Sequence, residues 1–435
     1  MKSHKTLQQF ARYASLNVLG MIGLSCYILA DTFFIANRLG ANGLTALNLA
    51  LPVYSLVHGS GLMLGMGGAT KFSICQAGGK HREANSYFTN TLSIAATLCF
   101  IYVFCGILFS DCITDILGAD NTVFSMTKTY LRMILLFSPA FIFNDIFICH
   151  VRNDKSPRLA MLAMISGSLS NIILDYVFLY PFNMGIFGAV LATGFAPIIS
   201  MGILSIHFLK RNNSFSLLRI LPQFRKMVSI ILLGIPSLIT ELSSGIVMII
   251  FNQLLLRTAG NTGVAAYGII ANLALVLVSI FTGIAQGTQP LLSHACGNRN
   301  TKEISRLLRY AIVTSVVLSF SIYLLLFVGA EPVTELFNSE KNVTLQTLAV
   351  RGLKLYFISA VFTAINIILT AYFAAIEKAV PAQILSILRG LLLIIPVAFG
   401  MAHWFGLTGI WLALPVTEIL VVVVAILLFK SHRSI

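Results

Sequence analysis

Twelve long apolar segments dominate this chain and restrict what it can fold into. The chain has 435 residues, of which 57% are hydrophobic and only 10% are charged, whereas soluble domains carry about a quarter charged residues. Each segment is long enough to cross a bilayer, which takes about 20 apolar residues. The segments are 10–39, 44–72, 88–110, 130–152, 158–181, 185–210, 227–258, 262–294, 308–330, 352–376, 382–403 and 406–430. We therefore expect an all-α integral membrane protein with twelve transmembrane helices.

The net charge of +14 is distributed in a way that indicates topology. Most of the 29 Lys and Arg residues fall in the N-terminal segment and in alternate loops. The other loops collect the acidic residues Asp111, Asp115, Asp120, Glu331, Glu335 and Glu340. Because short loops rich in Lys and Arg stay in the cytoplasm, we expect both termini there, in a protein of the inner or plasma membrane. The basic excess is then no sign of nucleic acid, and membrane lipid is the expected surrounding.

The second half of the chain repeats the first at a shift of about 220 residues. Three sets match: 39–47 with 259–267, Gly68 and Gly78 with Gly287 and Gly297, and 185–192 with 406–413. Six spans per half is an even number, so both halves begin on the same side and are parallel repeats related by a pseudo-two-fold axis along the membrane normal. The expected units are an N-lobe (1–210), a basic cytoplasmic linker (211–226) and a C-lobe (227–435), with the substrate cavity between or within the lobes.

Two carboxylates, Asp31 and Asp175, lie inside spans of the first half only. A charge at membrane depth costs about 2.5–3.5 kcal/mol on insertion scales, so such residues usually have a function. At 1.5 Å per residue, Asp31 lies about 13 Å, Asp175 about 9 Å and Thr193 about 12 Å below the outer ends of their spans. Asn171 shares a helical face with Asp175. All four can therefore reach one layer in the outer half of the N-lobe.

This set of side chains suits two different ligands. Carboxylate, amide and hydroxyl oxygens are hard ligands for a small cation such as Na⁺. Paired acids in a low dielectric equally hold a proton, because each raises the pKa of the other. A structural alternative is that Asp175 and Asn171 join helices by hydrogen bonds. Asp31 aligns with Phe251 and Asp175 with Pro396, so the second half lacks the set.

Glu241 is a further acid, in the middle of the seventh span. It is either a functional charge, as ionisable residues inside the membrane usually are, or a structural hydrogen-bonding group for Ser243 or Ser244. Asp145 and Glu418 also lie within spans, and Arg389 is a candidate partner for either of them.

Features of an enzyme are missing from the sequence. There is no G-x-x-x-x-G-K-[ST] phosphate loop, no metal-ligand spacing among the His residues and none among the seven Cys residues. We therefore expect no catalytic residue and no cofactor, apart from the small cation or proton that the four polar residues could hold. We also expect a monomer.

Several segments, in this order, resemble the multidrug and toxic compound extrusion (MATE) family, and most closely its bacterial multidrug-efflux branch. They are ADTFFIANRLG, GLMLGMGGAT…GGKHREAN, SNIILDYVFLYPFNMGIFGAVLAT, LGIPSLITELSSG and QGTQPLLSHACGNRN. The resemblance implies a two-lobed antiporter that expels organic cations in exchange for Na⁺ or H⁺. It also implies that Asp31 and Asp175 form the coupling site, that Asn171 and Thr193 are further cation ligands, and that Glu241 contacts the cation or drug.

A flippase for lipid-linked precursors, or a polysaccharide exporter of related fold, is the alternative. Such a protein needs buried basic residues to hold phosphates. Arg389 is the only basic residue that the sequence places clearly inside a span, so the composition favours export of cations.

Overall fold

The structure is a computed structural model that describes residues 2–211, 213–338 and 341–432. Asn212 of the predicted linker and Glu340 of the acidic loops lie outside these ranges. The described residues form fourteen α-helices and no β-strand. The helices are α1 (Lys2–Ala77), α2 (His81–Leu108), α3 (Ser110–Ile116), α4 (Phe124–Leu136), α5 (Ser138–Asn153), α6 (Pro157–Leu179), α7 (Gly185–Leu209), α8 (Phe224–Gly297), α9 (Thr301–Val328), α10 (Ala330–Phe337), α11 (Val343–Tyr356), α12 (Ala360–Ala375), α13 (Ala379–Ile387) and α14 (Ile394–His432).

Glycine kinks divide the longest helices into separate membrane crossings. Eight helical stretches of the described chain are long and apolar enough to cross a membrane, and α4 with α5, bent by 48°, makes a ninth. Gly40 in α1, Gly260 in α8 and Gly406 in α14 have φ of 65°, 62° and 55°, which other residues adopt only at a cost. Each kink splits one stretch in two, so the fold has the twelve transmembrane helices that hydropathy predicts.

The repeat is visible in the backbone. Gly40 and Gly260 share nearly the same dihedral angles, with ψ of −156° and −158°. Lys155 and Glu377 have φ of 61° and 63° at the equivalent turns after the fourth and tenth crossings. The short helices α3 and α10 also occupy equivalent places. The two lobes are therefore parallel repeats, as the sequence predicts.

Each lobe has its own apolar core, and each core also includes residues from the first crossing of the other lobe. One large apolar cluster lies almost entirely in the second half of the chain but includes Phe10 and Ala14 of α1. The other lies in the first half but includes Ile230 of α8. The first crossing of each lobe thus packs against the opposite lobe. Glycines allow this contact, since a Cβ on Gly67 would lie 2.1 Å from the Ile230 carbonyl oxygen.

The segment between the lobes is anchored on the N-lobe. Residues 213–223 are non-helical, and Phe215 is buried among the rings of Phe72, Phe88 and Phe208. The Ser214 hydroxyl donates to Asp154 Oδ1 at 2.5 Å. Burial raises the pKa of the Asp154 carboxyl, but its bonds with His207 and Ser214 outweigh burial and hold that pKa below its ordinary value.

Candidate functional site

Asp31 and Asp175 meet inside the N-lobe. Asp31 in α1 is 7% exposed and Asp175 in α6 is fully buried. Their carboxyl groups contact each other directly, and Oδ1 of each has no hydrogen-bond partner within the described chain. Two buried carboxylates in contact repel unless a proton or a cation lies between them. The pair is therefore built to hold one positive charge, and its two free oxygens fit a small cation or a proton.

Asn171 and Thr193 lie beside this pair, as the depth argument predicts. The Asn171 side-chain amide is oriented so that its nitrogen and its oxygen both form hydrogen bonds. The nitrogen donates to Asp175 Oδ2 at 3.0 Å, and the oxygen accepts from the Thr193 backbone N–H at 3.2 Å. The Thr193 hydroxyl donates to the Ala189 carbonyl at 3.1 Å. Asn171 therefore orients Asp175 in this conformation, and its oxygen is already engaged. Tyr130, which the sequence gave no reason to select, lies buried against Thr193.

The equivalent place in the C-lobe is aromatic. Phe251, which aligns with Asp31, is fully buried and stacks on Tyr267 with ring centroids 5.3 Å apart and planes 20° apart. Tyr356 meets the Phe251 ring edge-on at 6.1 Å. The C-lobe therefore fills with rings the space where the N-lobe holds its acids.

The C-lobe has a charged cluster of its own, made by Glu418, Arg389 and Asn366. The Arg389 Nε donates to Glu418 Oε1 at 2.7 Å, and the Asn366 amide donates to Glu418 Oε2 at 2.6 Å. Glu418 is 1% exposed. Of the two partners that the sequence left open for Arg389, the structure selects Glu418. The cluster is neutral overall.

A cavity of about 390 Å³ lies between the lobes and is lined by both. Its acidic, basic and histidine lining residues are His58, Asp145, Glu241, Arg389 and Glu418, and Thr193 connects the cavity wall with the Asp31–Asp175 pair. Asp145 pairs with His58 Nδ1 at 2.9 Å.

Glu241 sits in the cavity wall without a bonded partner. Its carboxylate has no hydrogen bond or ion pair within residues 2–211, 213–338 and 341–432. The hydroxyls of Ser243 and Ser244 donate to the backbone carbonyls of Ile239 and Glu241, respectively. The serine-bonded alternative for the Glu241 side chain is therefore wrong. The carboxylate remains available to a ligand.

The lobes close against each other at the end of the cavity nearer the linker. Arg152 Nη1 donates to Asn17 Oδ1 at 2.7 Å and to Gln286 Oε1 of the other lobe at 2.9 Å. Gln289 Nε2 donates to Thr70 Oγ1 at 2.8 Å, and Lys71 pairs with Glu377 at 2.7 Å. These contacts join the N-lobe to the C-lobe.

The position of Arg152 corrects the sequence analysis. Arg389 was expected to be the only clearly buried basic residue, but Arg152 is fully buried as well. The reason is that α5 continues to Asn153 and that the closed lobes cover its last turn. The sequence carried one usable signal for His58, which is a histidine inside an apolar span with glycines at 59 and 61. It carried no signal that Arg152 would be covered by the other lobe.

Comparisons with known proteins agree with this architecture. The MatE family profile matches residues 18–177 and 235–399. The multidrug export protein MepA of Staphylococcus saprophyticus is 26% identical over 412 residues, which cover 94% of this chain and 90% of that protein. MepA of Staphylococcus aureus is 27% identical over 415 residues, with the same coverage.

Solved structures share the fold across nearly the whole chain. An outward-facing multidrug resistance MATE family transporter of the MOP superfamily matches with a TM-score of 0.89 and 22% identity, over 99% of this chain and 96% of that one. A MOP superfamily transporter from Pyrococcus furiosus, described as having a binding pocket of reversed polarity, matches with a TM-score of 0.91 and 23% identity over the same shares.

Proposed function

Because this chain belongs to the MATE family of membrane transporters, we propose that it is a secondary active antiporter that exports organic cations in exchange for Na⁺ or H⁺. Family membership makes it a transporter of the cell membrane and not an enzyme. The observation that carries the proposal is the buried Asp31–Asp175 pair, which adjoins an interlobe cavity through Thr193. The relatives named above as multidrug export proteins support it.

Coupling follows from the charge of the pair. A Na⁺ ion or a proton that enters from outside neutralises one carboxylate and removes the repulsion between Asp31 and Asp175. An ion drives a conformational change only if it binds one state better than the other. The loaded pair then favours the state in which the lobes separate at the linker side, and the empty pair, whose carboxylates repel each other, favours the state in which the lobes are closed there. The direct carboxyl contact supports a proton, because the acids alone hold one.

The cavity is suited to organic cations. Glu241 offers an uncompensated carboxylate, and Tyr27, Tyr54, Tyr267 and Tyr356 add aromatic rings to the lining. A cation over an aromatic face gains about 0.5–2 kcal/mol. Arg389 adds no net positive charge, because Glu418 neutralises it.

The flippase alternative has less support. A phosphate-bearing substrate requires free basic groups in the cavity, whereas Arg389 is paired with Glu418 and the Arg152 guanidinium is enclosed in the lobe closure. The positions of the basic loops support cytoplasmic termini. A monomer in membrane lipid remains our expectation for the assembly.

The test is movement of ethidium in proteoliposomes under a Na⁺ gradient or a pH gradient, each imposed separately. We expect one of the two gradients to drive dye movement in the wild-type protein. In the Asp31→Asn/Asp175→Asn double variant, we expect the gradient-driven rate to be at least about tenfold lower, which corresponds to about 1.4 kcal/mol. Asp111→Asn is the matched control, because Asp111 lies at the surface and pairs with Lys128. Undiminished gradient-driven movement in the double variant would refute coupling at this pair, and no movement of any cationic dye by the wild-type protein would refute export.

A further inference from the structure

Three ionisable side chains meet where the two lobes face each other, about His58. His58 lies in the second crossing, within α1, and its Nδ1 is 2.9 Å from Asp145 Oδ2 of α5. Glu241 of α8, from the other lobe, interacts electrostatically with both. The His58 ring stacks on Tyr54, with centroids 5.7 Å apart and planes 14° apart. All four side chains line the cavity.

Two glycines beside His58 make this close approach possible. A Cβ at Gly59 would lie 3.2 Å from the Glu241 Cβ and 2.9 Å from Leu238 Cδ1. A Cβ at Gly61 would lie 2.5 Å from Asp145 Oδ2. A larger residue at Gly61 would displace the Asp145 carboxylate, and one at Gly59 would press against Leu238 and the Glu241 Cβ. The sequence His58-Gly-Ser-Gly61 therefore lets the histidine pair with Asp145 while its helix packs closely against Glu241.

The charges around His58 are unbalanced. The groups around His58 are Asp145 of α5, Glu241 of α8, and Tyr54 of its own helix. The Tyr54 hydroxyl is hydrogen-bonded to the Tyr27 hydroxyl, with the two oxygens 2.8 Å apart. No Lys or Arg ion pair satisfies Asp145 or Glu241 within the described ranges. Within the described ranges the His58 imidazole is thus the only basic group beside these two acids, and even a protonated His58 offsets the charge of only one of them.

We propose that the cationic group of an exported compound and the proton on His58 compete for the same two carboxylates, Asp145 and Glu241. This rests on the proposed export of organic cations and assigns to His58 a role separate from coupling at Asp31 and Asp175. A cation that binds beside Glu241 stabilises both acids, weakens the hold of the cluster on the His58 proton and expels it. When the cation leaves, His58 is protonated again. Because linkage is reciprocal, a proton on His58 weakens cation binding by the same factor.

The first experiment measures binding of tetraphenylphosphonium, whose own charge does not change with pH, to the purified full-length protein. In the Asp31→Asn/Asp175→Asn background, we expect Kd to fall as pH rises, by up to about tenfold per pH unit while one proton is displaced. His58→Gln should flatten this dependence and bind at low pH nearly as tightly as at high pH. The matched control is His403→Gln, at an exposed histidine, which should keep the parent dependence.

The second experiment observes His58 itself, in case the variant is unstable. In protein labelled with ¹³C-histidine, saturating tetraphenylphosphonium should convert the His58 signal from imidazolium to neutral imidazole and leave the His403 signal unchanged. A His58 signal that does not respond, or a Kd whose pH dependence survives His58→Gln, would overturn the competition. If either result is obtained while tetraphenylphosphonium still binds, the proposed export of organic cations stands and only the competition at His58 is refuted. If the wild-type protein neither binds nor moves any organic cation, the proposed export itself is refuted.

Discussion

At the residue scale, the two lobes handle buried charge in opposite ways. The N-lobe keeps Asp31 and Asp175 in contact, with no ion pair to a Lys, Arg or His among the described residues, which supports the proposal that an external ion neutralises them. The C-lobe gives Glu418 a permanent cation in Arg389 and a second donor in Asn366. A carboxylate with a fixed partner gains little from a Na⁺ ion or a proton. We infer that the C-lobe cluster is structural and the N-lobe pair responsive.

This difference predicts the effect of removing Arg389. Arg389→Met leaves Glu418 buried with only the Asn366 amide, and breaking such a pair costs about 3–5 kcal/mol. The double variant Arg389→Met/Glu418→Leu removes both charges and should recover most of the loss. The measurement is the thermal unfolding midpoint in detergent. Arg351→Met is the control, because Arg351 is exposed and its guanidinium bonds to Thr408 alone among the described residues. A double variant no more stable than the single one would contradict the pairing.

The depths of residues along their spans predicted the layer of four polar residues in the N-lobe but not the contact between His58 and Asp145. Asp31, Asn171, Asp175 and Thr193 lie at similar heights, and rise per residue alone gives their common layer. The contact between His58 and Asp145 depends on the rotation of two helices about their axes. That rotation is set by packing at Gly59 and Gly61, which no single-helix pattern reveals.

At the element scale, hydropathy predicted the crossings and the repeat but not how the helices are joined. The first and second crossings are separate helices that meet at the non-helical Gly40, in the short gap between the apolar segments 10–39 and 44–72. The fourth crossing is bent by 48° between α4 and α5, at Pro139. Both features depend on local φ and ψ at one or two residues, and hydropathy averaged over a span does not detect them.

Close backbone contact between crossings predicts which glycines are essential. In Gly67→Ala, the new methyl group would meet the Ile230 carbonyl oxygen at 2.1 Å, so the two lobes must separate there. Overpacking of this kind costs about 1–3 kcal/mol and acts on the state that is closed at the linker side. We expect a lower unfolding midpoint and slower ethidium transport. Gly202→Ala is the control, because a Cβ at Gly202 meets no atom within 4 Å, and equal midpoints in the two variants would rule out the packing argument.

At the scale of the whole molecule, the closure between the lobes decides which side of the membrane the cavity faces. Interlobe contacts join the lobes at the end nearer the linker, where Lys71 meets Glu377 and Arg152 meets Gln286. Because the basic loops predict that this end is cytoplasmic, we infer an outward-facing state. Arg152 has no carboxylate partner there, and its Nε has no acceptor within the described chain. The closure therefore contains a costly buried cation that opening would release to water.

Gln286 stabilises this buried cation together with Asn17, and it does so from the other lobe. Its side-chain oxygen accepts from Arg152 Nη1 at 2.9 Å across the lobe boundary, and a hydrogen bond to a charged group contributes about 1.5–3 kcal/mol. Gln286→Ala removes the bond only when the lobes are closed on this side, since separated lobes break it in any case. The variant should therefore shift the population by about tenfold or more toward the cytoplasm-open state.

The shift can be measured as a distance between spin labels at Arg82 and Lys302, which are exposed and occupy equivalent positions at the linker-side ends of the two lobes. Gln286→Ala should add a longer-distance population that the parent protein lacks. Gln76→Ala is the matched control, because Gln76 bonds with His81 inside its own lobe and its removal changes both states equally. If Gln286→Ala leaves the distance distribution of the parent protein unchanged, Arg152 is held by the packing around it and the cost of its burial does not bias the transport cycle.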